Sequence, residues 1–367
     1  MLSPDRGFVP STSVSLAPLT TLGIGGPARW FARAETMEDV AAAQAWCAVR
    51  GAELFVLGGG SNVVIADRGI DGLVQQIGIS GIAFTRRGAD TLVTVGAGEP
   101  WDGVVAAVVD RGLAGLECLS GIPGSTGGTP VQNVGAYGQE VGDSIEQVTV
   151  FDRTTNAMAS LSNAECRFAY RMSRFKREDP GRYVVCDVAF ALRTGPPSIS
   201  YPDVIKYVER QAIARPTLAD ARRAVLDIRR RKGMVLDPAD PDTRSVGSFF
   251  MNPVVSAERR AELAAAAPDG HTPGFVLPDG GVKIPAAWLI EQAGFAKGFT
   301  AGRAGLSSKH PLAIVNRGGA TARDVIALAV RIKQQVLDRF GVALRPEPVF
   351  AGFGEDTDVQ YLQQGNG

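Results

Sequence analysis

The segment Leu54-Phe55-Val56-Leu57-Gly58-Gly59-Gly60-Ser61-Asn62-Val63-Val64-Ile65 decides how the first half of this chain is read. Two short apolar runs flank three glycines, which spells strand, tight loop, strand. Backbone N–H groups in such a loop carry no side-chain cover and suit a wrapped pyrophosphate, with Ser61 and Asn62 adding polar contacts. Alone, the loop is ambiguous. It lacks the G-x-G-x-x-G pattern, and a glycine turn between strands more often serves only the fold.

A second stretch shifts the balance. Leu119-Ser120-Gly121-Ile122-Pro123-Gly124-Ser125-Thr126-Gly127-Gly128 leads into Pro130-Val131-Gln132-Asn133-Val134-Gly135-Ala136-Tyr137-Gly138. It is long and sparing in core-forming side chains, so its order calls for a ligand or neighbouring backbone. Two such loops in one half favour an extended, dinucleotide-type cofactor.

Working outward, residues 36 to 51 read as a helix, with Thr36 as cap, Asp39 in the first turn and Gly51 as stop. Residues 91 to 95 read as a strand, and 101 to 111 as an apolar-faced helix ending before Gly112. Ser162 and Glu165 form a capping box. Further strands are expected over 148–151 and 183–192. Strands and helices alternate, which makes this half α/β or α+β. Composition shifts at Gly195-Pro196-Pro197. A basic amphipathic helix over 217–232 and a polar, Pro-rich loop over 237–242 follow. Residues 321 to 340 give the longest clear helix, with Val325, Leu328, Ala329, Ile332, Val336 and Phe340 on one face. The domain boundary is expected near residue 215, and the polar sequence after Gly352 is expected to be a frayed, flexible tail over 354–367.

Composition narrows the function classes. The 38 basic residues balance 38 acidic ones, which argues against wholesale binding to nucleic acid or an acidic membrane. The N-terminus MLSPDRGFVPSTSVSLAP lacks the apolar core of a signal peptide, and no run of about 18 apolar residues offers a membrane span. Cys47, Cys118, Cys166 and Cys186 are widely spaced without C-x-x-C, the pattern of scattered reduced thiols in a cytoplasmic protein. Two histidines, His271 and His310, are too few for most metal sites, so no metal is expected.

Leu57-Gly-Gly-Gly-Ser-Asn62, Ser120-Gly-Ile-Pro-Gly124 and Gln132-Asn-Val-Gly-Ala-Tyr-Gly138 together resemble the UDP-N-acetylenolpyruvoylglucosamine reductase (MurB) family. The likeness continues through Phe168-Ala-Tyr-Arg171, Val246-Gly-Ser-Phe-Phe-Met-Asn-Pro253, Trp288-Leu-Ile-Glu-Gln292 and Pro346-Glu347. It spans roughly residues 17 to 353, and all blocks occur in the family's order. The resemblance implies an α+β fold. An FAD-binding domain of the vanillyl-alcohol oxidase type, with two α/β subdomains, would occupy 17–215, and an α+β substrate-binding domain 216–353. It implies non-covalent FAD held by Gly58, Gly59, Gly60, Ser61 and Asn62, by Ser120, Gly121, Pro123 and Gly124, and by Gln132, Asn133, Gly135, Ala136 and Tyr137.

The implied reaction is NADPH-dependent reduction of UDP-N-acetylglucosamine enolpyruvate to UDP-N-acetylmuramate for peptidoglycan synthesis, with ping-pong kinetics and a monomeric, cytoplasmic enzyme. Hydride would add to an electron-poor alkene, and the protein would have to stabilise an enolate-like state and deliver one proton. Arg171 corresponds to the family's catalytic arginine, a fixed cation able to grip a carboxylate. Glu347, held extended between Pro346 and Pro348, corresponds to its catalytic glutamate. Ser248 corresponds to its proton donor. Tyr201, Lys232, Asn252, Lys283 and Gln292 correspond to substrate-binding positions, Lys232 at the diphosphate. Two departures from the enterobacterial type stand out: a longer loop between Lys232 and Ser248, and no arginine two residues after Glu347. Two rivals remain at this stage. One is an FAD-dependent alcohol or sugar oxidase of the same fold; neither histidine lies in the flavin loops, which weighs against the histidine-linked flavin of some such oxidases. The other is a non-catalytic nucleotide-binding regulator.

Overall fold

A computed structural model describes residues 7–267 and 270–365. The first six residues of the N-terminal segment and the last two of the expected tail lie outside the described residues. The chain divides into two units that interleave in sequence. The first holds the residues up to Val14, Ala28–Gly60 and Asp71–Val235; the second holds Ser15–Pro27, Ser61–Ile70 and everything from Leu236.

The first unit is built on two sheets. One runs in the order Ser11–Ser15, Pro27–Ala34, Ile70–Ile77, Leu54–Leu57, the last pair parallel with Leu57 opposite Gln76. The other is antiparallel. Its long strand Tyr183–Thr194 lies between Ile145–Asp152 and Asp90–Gly96, with Ala157–Ser162 and Ile82–Arg87 at the margins. Helix Trp101–Asp110 buries Trp101, Val104, Val105, Val108 and Val109 in the same core as Val93, Val148, Val188 and Phe190. Full burial of each such side chain contributes on the order of 2 kcal/mol.

Helix Met37–Arg50 starts on the Thr36–Asp39 capping box and ends on left-handed Gly51, as the sequence predicts. The Ser162–Glu165 box also forms. Helix Leu218–Arg231 belongs to this first unit, which moves the division from residue 215 to the step between Val235 and Leu236. The cause is its apolar face. Ala224, Val225 and Ile228 pack with Cys118, Val204 and Tyr207, and Arg222 grips Asp102 through two hydrogen bonds of 2.6 and 2.8 Å.

The second unit centres on helix Ala322–Phe340, capped by Thr321 and closed at Gly341. Its Val325, Leu328, Ala329, Ile332, Val336 and Phe340 are all buried, as the periodicity requires. Around it pack Phe249, Phe250, Leu289, Ile290 and Phe295. Strand Val63–Ile65 pairs in parallel with Val349–Ala351, which explains why a short early segment belongs here. The stretch expected to fray instead contains helix Thr357–Gln363. Val359 and Leu362 are buried, and Lys333 Nζ donates to the carbonyls of Tyr361, Leu362 and Gln364 at 2.6, 2.9 and 2.5 Å. Among the described residues no helix is long and apolar enough to cross a membrane, and no group of His, Cys, Asp and Glu has a metal-binding arrangement.

Candidate active site

In the first unit the two glycine loops meet backbone to backbone. Gly59 N donates to Ser125 Oγ at 3.1 Å, and a Cβ on Gly59 would stand only 2.6 Å from Gly124 Cα. Only glycine permits that approach. Gly121 is fixed from beneath: its φ is +71°, and its N–H donates to Asp102 Oδ1 at 2.5 Å. Ser120 is fully buried and donates to the Glu117 carbonyl. Glu117 is equally buried and accepts from Gly115 N, Gln139 Nε2 and Ser198 N, so three N–H donors balance a carboxylate beneath the loop.

The third motif is strained. Asn133 and Tyr137 both have left-handed backbones, with φ of 42° and 49°. Asn133 is the keystone. Its Nδ2 donates to Glu140 and to the Ala169 carbonyl, and its Oδ1 accepts from Gly142 N. That side chain is spent on building the loop, so a cofactor would meet Asn133 only through its backbone. Gln132 accepts from Lys176 Nζ at 2.8 Å.

Arg171 sits at the corner of a tight turn closed by paired hydrogen bonds between Ala169 and Met172, with φ of +54°. A non-glycine residue held there costs about 1–3 kcal/mol, and such strain collects at functional sites. A Cβ on Gly135 would lie 3.5 Å from Arg171 Nη1, so the guanidinium lies along the Gly135–Tyr137 motif. The Tyr137 and Tyr201 rings meet edge to face at 5.4 Å, and burial pushes both phenols above their usual range. Lys232 Nζ lies 5.9 Å from the centre of the Tyr137 ring and 3.0 Å from Asp203 Oδ2. Arg171, Tyr137, Tyr201 and Lys232 therefore belong to one unit and surround one motif.

Ser248 and Glu347 belong to the second unit, and there they are neighbours along paired backbones. Glu347 N donates to Phe249 O at 2.9 Å, Met251 N donates to Arg345 O at 2.9 Å, and Phe250 pairs with Pro346. Ser248 is partly exposed, between Gly247 and the fully buried Phe249. Asn62 braces the same loop. Its carbonyl accepts from Val349 N at 3.0 Å and its Nδ2 donates to the Glu347 carbonyl at 3.5 Å. Asn62 and Ser61 thus fall in the second unit, while Gly58, Gly59 and Gly60 close a stretch of the first. Asn252 Oδ1 accepts from Ala286 N at 2.9 Å and so opens helix Ala286–Gln292; Lys283 and Gln292 are both partly exposed.

The glycine loops pack backbone against backbone at Gly59 and Gly124, a cradle that a side chain would fill, and this suits a dinucleotide cofactor. One residue escaped the sequence reading. Arg229, on the last turn of helix Leu218–Arg231, has an Nε sealed from solvent without an acceptor. The signal in the sequence was the basic run Arg229-Arg230-Arg231, indistinguishable there from a solvated helix end.

A sequence model of the FAD binding domain matches residues 28–157, and one of the C-terminal domain of UDP-N-acetylenolpyruvoylglucosamine reductase matches residues 238–351. The reductase of Thermobifida fusca is 48% identical over 93% of this chain and 97% of its own length. That of Mycobacterium tuberculosis is 47% identical over 93% and 95%. The crystal structure of the reductase from Thermus caldophilus aligns over 94% of this chain and all of its own, with a TM-score of 0.64 and 26% identity.

Proposed function

The chain belongs to the UDP-N-acetylenolpyruvoylglucosamine reductase (MurB) family, and from that premise we propose how its residues divide the work of reducing an enolpyruvyl group. It is a flavin-dependent oxidoreductase, a UDP-N-acetylmuramate dehydrogenase of peptidoglycan synthesis. The observation that carries this is identity of 48% sustained over 93% of the chain, through both units. The rival oxidase accounts for a flavin domain but not for a reductase C-terminal domain.

FAD, held without a covalent bond by the glycine loops, supplies hydride transfer, and NADPH is the reductant in this reading. The substrate's alkene is conjugated to a carboxylate, so negative charge developing on carbon spreads into that group. Arg171 opposes the charge with a fixed guanidinium that its strained turn pre-orients. Glu347 is held by Phe249 and Asn62 and is the second catalytic residue in this reading. The Ser248 hydroxyl hands over the proton; it is a weak acid, but the acceptor is a far stronger base. Tyr201, Lys232, Asn252, Lys283 and Gln292 hold the sugar nucleotide, Lys232 at the diphosphate. Four buried free thiols suit a reducing cytoplasm, where we expect a monomer.

The test is spectroscopic. The purified protein should be yellow and release its colour on acid precipitation. Anaerobic NADPH should bleach it, and UDP-N-acetylenolpyruvoylglucosamine should restore the colour. Bleaching by an alcohol or sugar, with oxygen alone restoring the colour, would establish the oxidase instead.

A further inference from the structure

The polar, Pro-rich loop over 237–242 lies within the longer connection from Lys232 to Ser248, and its last residue is not spent on solvent. Asp242 is only 5% exposed. Its Oδ2 accepts from the Ser308 hydroxyl at 2.5 Å and its Oδ1 from Ser308 N at 3.1 Å. A carboxylate leaves water only where donors replace it, and an ionised acceptor makes those hydrogen bonds the stronger kind. The turn around Asp242 is closed on itself: Asp240 Oδ1 accepts from Asp242 N at 3.1 Å, and Thr243 Oγ1 shares its proton between the carbonyls of Asp237 and Asp240, each at 2.9 Å. Lys309, next to Ser308, pairs with Asp240 Oδ2 at 2.5 Å.

From that turn the chain runs to Ser248 along residues 312–316. Asn316 N donates to Arg244 O at 2.9 Å, Ser245 bridges Val315, and Phe249 N donates to Leu312 O at 2.8 Å. Ser245 Oγ accepts from Gly247 N at 3.2 Å across the left-handed turn at Gly247, whose φ is +74°. Ser248 is therefore placed by backbone pairing on both sides of it. The partner segment is folded back on itself, with Ser307 N donating to Ala313 O at 2.9 Å. The Asp242–Ser308 contact joins the two segments where that fold begins, and all of these residues belong to the second unit.

We propose that Asp242 is a positioning residue for Ser248. By clamping Ser308 it fixes the register of residues 242–249 against 308–316, and so the place at which the Ser248 hydroxyl is presented. This rests on the reading of Ser248 as proton donor, and it gives the longer loop a task. Misplacement of a reacting group by about 1 Å can cost on the order of 10² in rate, which is the reach of such a clamp.

The test follows both half-reactions of the holoenzyme by stopped-flow absorbance. Asp242→Ala opens the clamp. Asp242→Asn keeps it, because the amide oxygen still accepts from Ser308 N and the amide NH2 can donate to Ser308 Oγ. Asp242→Ala should slow reoxidation by UDP-N-acetylenolpyruvoylglucosamine about tenfold, with bleaching by NADPH within about twofold of wild type, and Asp242→Asn should recover most of the loss. In a Ser248→Ala background the same Asp242→Ala change should cost less than about twofold, because no hydroxyl is left to position. If Asp242→Ala does not fold, Ser308→Ala removes one bond at an exposed residue and should slow reoxidation about threefold, with Ser308→Thr close to wild type. A normal reoxidation rate in the clamp-breaking variant, equal slowing of both halves, or an undiminished cost in the Ser248→Ala background overturns the proposal and leaves Asp242 a brace for the fold. Failure of the underlying reading is separable, because Ser248→Ala alone would then reoxidise at the normal rate, and the proposal would fall with it.

Discussion

Lys232 Nζ stands 3.0 Å from Asp203 Oδ2, so the lysine assigned to the substrate diphosphate is held by a carboxylate two residues after Tyr201. Asp203 lies in the first turn of helix Pro202–Arg210, and Tyr201 precedes that helix as its cap residue. The carboxylate occupies Lys232 as a phosphate oxygen would. In the proposed reading, binding of the sugar nucleotide would break the pair and free the start of the helix that follows Tyr201. Both partners are substantially exposed, so the pair is worth about 1 kcal/mol at most. Asp203→Asn should strengthen binding of the sugar nucleotide about two- to fivefold, most clearly at low salt. Titration calorimetry checks this. Tenfold weaker binding would mean that Asp203 itself contacts the substrate.

Arg171→Ala and Glu347→Gln should each lower the rate of substrate reduction by roughly two to three powers of ten, the usual loss for one preorganised electrostatic contact. FAD should stay bound in both variants. The Arg171 turn is closed by backbone hydrogen bonds between Ala169 and Met172, and Glu347 is positioned by its backbone N–H and carbonyl. Neither variant removes those bonds. Flavin content by absorbance ratio, measured beside turnover, distinguishes a lost contact from a lost fold.

Much of this fold was legible because its constraints are local. A Thr36–Asp39 box or the apolar stripe of Ala322–Phe340 announces itself within a few residues. Long-range pairing does not. Val63–Ile65 joins the second unit only because Val349–Ala351 lies alongside it, and helix Leu218–Arg231 joins the first through contacts with Cys118 and Val204. Motif membership also hides division of labour. Asn133, Asn62 and Asn252 sit inside signature blocks, yet each spends side-chain hydrogen bonds on neighbouring backbone.

Lys333 gives a stability prediction. It is almost wholly buried, and its ammonium serves three carbonyls at the end of helix Thr357–Gln363. Lys333→Met preserves the aliphatic stem and leaves those carbonyls without a donor. The expected loss is about 2–4 kcal/mol, and proteolysis should begin at the C-terminus. Thermal melts and limited digestion with mass spectrometry check it; an unchanged digestion pattern would mean that Val359 and Leu362 suffice to dock the helix.

Asp152 gives a pH dependence. The Arg182 guanidinium beside it, at 2.7 Å, lowers its pKa to about 2. The unfolded value is about 3.9, so the folded carboxyl is depressed and its contribution is fully present above that value. It fades as pH falls from about 4 toward 2, a loss on the order of 2 kcal/mol. Asp152→Asn should be less stable than wild type at pH 7 and should close much of that gap at pH 2.5. Urea melts at the two pH values read the difference directly; a constant gap would assign the contribution to packing.

Ser248 allows the sharpest test, because the reaction has two halves and only one needs an acid. In the proposed reaction, flavin reduction by NADPH creates no carbanion, whereas reduction of the enolpyruvyl group does. Ser248 follows Gly247, whose φ of +74° turns the chain, and precedes Phe249, whose carbonyl accepts from Glu347 N. The backbone bonds on either side do not involve the hydroxyl, so Ser248→Ala should fold and keep FAD. NADPH should bleach this variant at a nearly normal rate. Reoxidation by substrate should slow about 10²-fold or more, the usual scale for a lost acid–base group. Ser248→Cys restores an ionisable hydrogen at the same position and should recover part of the loss. Stopped-flow absorbance separates the halves. Equal slowing of both would show that Ser248 only shapes the pocket, and the proton would then have to come from another group or from water.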